Sequence, residues 1–149
     1  MVRDKPTATH CLNVDLDIYS KCDLQPLVTA LGGKVIVLHA GRDRRTHCAH
    51  LELARPTKTA DSTIRGFCAL IEALPQMARD LWNAAKVRDF NIGVQAEMQP
   101  FSCQFAFAPE TLTATCGLGA RIVFTVYAPE YPRKRVGKGR TGSKKATGQ

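Results

Sequence analysis

Leu12-Asn13-Val14-Asp15-Leu16-Asp17-Ile18-Tyr19 is the stretch that decides the fold class. Successive side chains of a strand point to opposite faces. Leu12, Val14, Leu16 and Ile18 therefore turn one way, and Asn13, Asp15, Asp17 and Tyr19 the other. A strand with one wet face belongs to a sheet that is packed on one side only. The residues that follow can supply the cover. Asp23 is placed to cap a short helix in which Leu24, Leu27, Val28 and Leu31 recur at helical spacing, and Gly32-Gly33 stop it.

Val35-Ile36-Val37-Leu38 is an unbroken apolar run, which predicts a strand covered on both sides or lying near the sheet centre. Gly41 to Arg45 reads as a hairpin loop, with a return strand from His47 to Leu53 and a break from Arg55 to Thr59. From Asp61 the period changes. Ile64, Phe67, Cys68, Ile71 and Leu74 fall three and four apart, the stripe of an amphipathic helix, and beyond Pro75 a second helical segment carries Leu81, Trp82 and Ala85. Phe90, Ile92, Val94 and Ala96 alternate with polar residues, as do Phe101, Cys103, Phe105 and Phe107, which predicts two strands joined by a turn at Gln99 and Pro100. Pro109 and Glu110 open a short helix to Cys116 that Gly117 and Gly119 close. Arg121 to Tyr127 is the last strand, with Ile122, Phe124 and Val126 on its inner face.

The expected order is thus β-α-β-β-α-β-β-α-β. It describes an α+β protein, a ferredoxin-like two-layer sandwich whose antiparallel or mixed sheet carries its helices on one face, extended by one strand-helix-strand unit. A 149-residue chain can bury one good core, so a single domain is expected over residues 10–130. Its 44% hydrophobic and 23% charged residues are globular composition. No stretch approaches the roughly 20 apolar residues of a membrane span, and the first residues carry no apolar signal core, so membrane association is not expected.

That reading places the protein in the cytoplasm, where thiols stay reduced. Cys11, Cys22, Cys48, Cys68, Cys103 and Cys116 contain no C-x-x-C pair, so neither disulfides nor zinc knuckles are expected. The net charge of +8 is unevenly placed. Residues 1–131 carry 14 Lys or Arg against 13 Asp or Glu, while Arg133, Lys134, Arg135, Lys138, Arg140, Lys144 and Lys145 face no acid at all. Residues 131–149 are expected to form a disordered basic tail, able to hold nucleic acid nonspecifically through phosphates but lacking aromatic residues beyond Tyr131 for stacking on bases.

Four groups of residues bear on chemistry. His47, Cys48 and His50, with His39 across the hairpin, come nearest to a metal cluster. Only Cys48 and His50 share a strand face, however, and no metal is expected. Asp15 and Asp17 share a face at roughly 7 Å by strand rise, a spacing used by paired carboxylates, yet an open polar face gives little burial to separate their pKa values. Cys68 and Trp82 belong in the helical core. Ser20, Ser62 and Ser102 lie in no G-x-S-x-G context, and Gly32-Gly33-Lys34 lacks the rest of a phosphate loop. No catalytic residue or cofactor is therefore expected.

The opening strand, the capped helix, Pro109-Glu110-Thr111-Leu112, Gly119-Ala120-Arg121-Ile122 and the closing Phe124-Thr125-Val126-Tyr127 together resemble the bacterial family of domains of unknown function numbered 4279. The resemblance covers roughly residues 12–128. It implies a small bacterial protein of the immunity or partner-binding kind, with no catalytic residues to carry over. Without convergent catalytic groups, the expectation is a non-enzymatic protein-interaction module, with the toxin-binding immunity type as one form of it. The uncovered sheet face is the candidate surface: Asp15, Asp17, Tyr19, Gln95, Thr125 and Tyr127, with Asn13, Asn91, Glu97 and Gln104 beside them. The alternative is a nucleic-acid-associated protein acting through the tail.

Overall fold

The computed structural model describes residues 8–55, 57–99 and 102–129. Within them the chain is an α+β protein with a five-stranded mixed sheet. Its strands are β1 (His10–Ser20), β2 (Val35–Asp43), β3 (Thr46–Leu53), β4 (Val87–Gln95) and β5 (Arg121–Tyr127). The helices are α1 (Gln25–Leu31), α2 (Ala60–Glu72), α3 (Gln76–Ala84) and α4 (Pro109–Gly117). Strand order is β2-β3-β1-β4-β5, antiparallel except for the parallel pair β4 and β5. The seven basic residues of the expected tail, from Arg133 to Lys145, lie outside the described residues.

The alternation of β1 runs from Asn13 to Tyr19 as expected, but Leu12 is a correction: a bulge between Cys11 and Asn13 leaves it 51% exposed, and Cys11 packs on the core in its place. Val14, Leu16 and Ile18 of β1 are buried, and in register with them so are Ala49 and Leu51 of β3 and Phe90 and Ile92 of β4, while buried Val94 of β4 lies opposite Cys11. Helix α2 lays Ile64, Phe67, Cys68 and Ile71 onto this face, where Phe67 stacks on Phe90 at 5.8 Å. Thr59 and Ser62 start the helix with a reciprocal capping box, and Asp61 accepts the Ala108 N–H at 2.9 Å, which ties the start of α2 to the start of α4. Arg65 donates to Thr111 at 3.2 Å and completes that junction. Pro75 is the cap of a new helix rather than a kink, and α3 brings Trp82 fully into the core with its indole N–H on the Leu118 carbonyl at 3.0 Å.

Three further expectations need correction. The first is the apolar run at residues 35–38, which is neither central nor doubly covered: β2 is an edge strand. Only Val35 is buried, while Ile36, Val37 and Leu38 are 49%, 45% and 50% exposed. A bulge between Val37 and His39 shifts its register, a feature that blunts a free edge. Periodicity cannot separate an edge strand from a buried one when no polar residue interrupts the run.

The second is the strand from Phe101 to Phe107, of which the described part, residues 102–107, forms no strand. The place it would take beside β4 is occupied by β5, which pairs in parallel from Asp89↔Arg121 to Gln95↔Tyr127. Phe105 and Phe107 alternate because they reach over β5 and meet the Phe124 ring edge-on, at 5.8 and 6.3 Å. Those rings are the cover that Phe124 has; Phe124 and Val126 face the helical side as expected but stay 46% and 61% exposed on the second sheet edge.

The third is the hairpin. β2 and β3 continue through Asp43 and from Thr46, which leaves a two-residue connection of Arg44 and Arg45 instead of a five-residue loop. Arg44 adopts φ 55°, in the left-handed region where glycine or asparagine is the ordinary choice.

Candidate functional site

With all helices on one side, the other face of the sheet is built from the polar residues of the alternation. One rung crosses all five strands on this face. His39 of β2 pairs with His50 of β3, His50 with Asp17 of β1, Asp17 with Asp89 of β4, and Asp89 with Arg121 of β5. Two imidazoles, two carboxylates and one guanidinium thus stand in a row.

The rung is held by specific bonds. His50 Nδ1 lies 2.6 Å from Asp17 Oδ1. An ionised carboxylate only accepts, so Nδ1 carries the hydrogen and Nε2 is turned outward. Tyr19 O–H stands 3.5 Å from that Nε2, and the His39 ring lies 6.0 Å from the His50 ring. The second oxygen of Asp17 accepts from Asn91 Nδ2 at 3.2 Å, and the Asn91 oxygen accepts from Thr125 O–H at 2.8 Å. At the far end Arg121 grips Asp89 with two bonds of 2.7 Å. Gln95 donates to the Ala128 carbonyl at 3.3 Å and fastens the chain leaving β5.

One step along the strands, Asn13 Nδ2 donates to both Asp15 Oδ1 at 3.0 Å and Glu52 Oε1 at 3.1 Å. Burial, and after it the neighbouring Glu52 carboxylate, push the Asp15 carboxyl up from 3.8 to about 6. Gly93 lies opposite Asn13, and a Cβ there would meet Asn13 Oδ1 at 2.5 Å, so any larger residue must displace a side chain that two hydrogen bonds hold in place.

Of the candidates read from sequence, Asp15, Asp17, Tyr19, Gln95, Thr125 and Tyr127 come together with Asn13 and Asn91 on the open face. Tyr19 and Tyr127 are its exposed aromatic residues, at 37% and 52%. Gln104 is a correction. It lies in the irregular segment with Lys58, Asp61 and Ala106, on the helical side, since the strand that would have alternated it outward does not form. Glu97 sits past the end of β4, where its backbone bonds Thr9. Cys68 and Trp82 are core, as expected.

Cys48 and His50 do share the open face. Among the described residues no three His, Cys, Asp or Glu side chains gather as a metal-ligand set. Sequence reasoning considered His39 and His50 only as metal ligands and not as members of the polar array, and it passed over Glu52 and Asp89 there and Arg42, Arg44 and Arg45 at the rim of an open recess of about 920 Å³. Their signal was available for His39 and His50, whose pairing follows from the hairpin register. Asp89 could not be placed without the order of the strands.

No match is found among protein-family models, curated proteins or solved structures.

Proposed function

We propose that the chain is a non-enzymatic interaction module that receives a protein partner on its open sheet face. The observation that carries this reading is the bonded array from Thr125 through Asn91 and Asp17 to His50. It leaves Tyr19 and Tyr127 exposed on a platform whose polar neighbours are already in place. Aromatic residues with few rotatable bonds, set among fixed polar groups, lose little entropy on contact, which is how compact interfaces gain affinity. The test is affinity capture from a bacterial host extract at low and high salt, followed by binding assays with the purified partner. Tyr19→Ala and Tyr127→Ala are expected to weaken that complex at least tenfold while the urea midpoint stays unchanged; an undiminished complex would remove this face from consideration.

A second reading rests on the seven basic residues from Arg133 to Lys145, which face no acid in the last 18 residues. Retention on nucleic acid would come from them and would fall steeply with salt. Removing residues 132–149 is expected to abolish it, and retention by the shortened chain would contradict the tail model.

The order β2-β3-β1-β4 supports reading these strands as a ferredoxin-like sandwich to which α4 and β5 are added. Six unpaired thiols support a reducing compartment such as the cytoplasm. No helix among the described residues is long and apolar enough to cross a membrane.

A further inference from the structure

Most arginines that the fold places near its sheet and helices are already engaged. Arg65 reaches Thr111, Arg79 reaches the Ile71 carbonyl, Arg88 reaches the carbonyls of Trp82, Asn83 and Gly119, and Arg121 grips Asp89. The hairpin arginines differ. Arg42 spends one N–H on the Arg44 carbonyl at 2.9 Å, and among the described residues neither Arg42, Arg44 nor Arg45 has an ion-pair partner. All three line the recess of about 920 Å³ at the β2 and β3 end of the open face, together with His39, His50 and Tyr19.

Two features show that this corner is not an ordinary solvated turn. Arg44 keeps a left-handed backbone, where glycine would avoid a clash of its Cβ with the following carbonyl, so the tightest point of the turn carries a long cation at a conformational cost. On the recess side of β2, Gly41 lies between His39 and Asp43 and opposite Cys48, so the floor has no side chain there. The lining is therefore a gap bordered by three guanidiniums, two imidazoles and a phenol. Asp43 is its carboxylate, which leaves two net positive charges with the imidazoles neutral.

We propose that this recess binds a phosphate monoester dianion. Two net positive charges match a phosphate group near neutral pH, whose second ionisation lies at about 6. Planar guanidiniums present paired N–H groups to its oxygens. Asp17 fixes the imidazole of His50 with Nε2 toward the recess, and Tyr19 offers a hydroxyl beside it. The inference goes beyond the partner-binding reading and does not require it. Tyr127 lies on β5, the opposite edge strand, so its substitution separates the two.

The experiment is an NMR titration of the full chain at pH 7.5 and constant ionic strength, with inorganic phosphate, O-phosphoserine and a nucleoside 5′-monophosphate as separate arms. Saturable shifts are expected at the amides of Gly41, Thr46 and Cys48 with dissociation constants on the order of millimolar. Tighter binding of phosphoserine or of the nucleotide names the source of the phosphate group, and equal binding in all arms assigns the site to the phosphate alone. Arg42→Ala/Arg44→Ala/Arg45→Ala is expected to weaken binding about tenfold or more. Arg44→Gly relieves the left-handed strain, so it folds at least as well and still binds more weakly. Gly41→Val fills the floor without changing any charge and is expected to weaken binding too. Tyr127→Ala leaves it unchanged. Shifts confined to the basic residues beyond 132, or equal affinity in the triple variant, overturn the proposal.

Discussion

The two faces of this sheet are ordered by different physics. On the helical face Leu16, Ile18, Leu51, Phe90 and Ile92 are fully buried, and their positions are set by packing against Phe67, Ile71 and Trp82. On the open face the side chains remain in contact with water and their positions are set by hydrogen bonds from one strand to the next. Packing tolerates similar shapes, whereas a bonded array tolerates neither a lost partner nor an intruding atom. The difference shows how one strand, β1, serves a core and a recognition surface at once.

The largest expected effect is on the packed face. Phe67→Ala removes the ring stacked on Phe90 and leaves a cavity under the sheet; a loss of about 3–5 kcal/mol in urea denaturation is expected, against a total of roughly 5–15 kcal/mol for a domain. A loss under about 1 kcal/mol would show that α2 is not seated as described. Next comes an open-face position that should behave like a core one. Gly93→Ala drives a methyl group into Asn13 and is expected to cost about 1–3 kcal/mol, with much of it recovered when Asn13→Gly is added. Additive losses in that double variant would break the account of Gly93.

Smaller still is the effect of Asp15, and its sign depends on pH. The carboxyl takes up its proton more readily in the folded chain, at about 6, than at its ordinary 3.8. Its contribution is therefore fully present below about pH 4 and is lost as pH rises through 6. Asp15→Asn is expected to raise the melting temperature at pH 8 by on the order of 2 °C, after allowance for solvent screening of a half-exposed group, and to change little at pH 4. The reverse pH dependence would mean that neither burial nor the neighbouring Glu52 carboxylate disfavours its ionised form. The smallest effect on stability is expected from Tyr127→Ala, within about 0.5 kcal/mol, because the ring lies on an edge strand and is half exposed.

The same contrast explains how much was legible in the residues alone. β1, α2 and the break at Pro75 were readable because alternation and the three-four stripe report burial on one face directly. Residues 35–38 misled because an edge strand and a central one look alike when every residue is apolar. Phe105 and Phe107 misled because a coil crossing a sheet edge can bury alternate rings as a strand does. On the open face, the membership of Asp15, Asp17, Tyr19, Gln95, Thr125 and Tyr127 followed from strand period. The rung through His39, His50, Asp17, Asp89 and Arg121 did not, since it joins strands distant in sequence and depends on β1 lying between β3 and β4. The place of the hairpin arginines depends on how far the strands run: Arg42 lies on β2, and only Arg44 and Arg45 form the turn.

Both functional proposals draw on an array that is ordered before anything binds, and the imidazole of His50 reports on it. Nitrogen NMR of the histidine side chains in the free protein measures this directly. The account predicts that neutral His50 carries its hydrogen on Nδ1, bonded to Asp17, with Nε2 unprotonated, and that Asp17→Ala returns it to the mixed tautomers of a free imidazole while His10 is unaffected. A His50 that exchanges between tautomers in the unaltered protein would contradict a preformed open face.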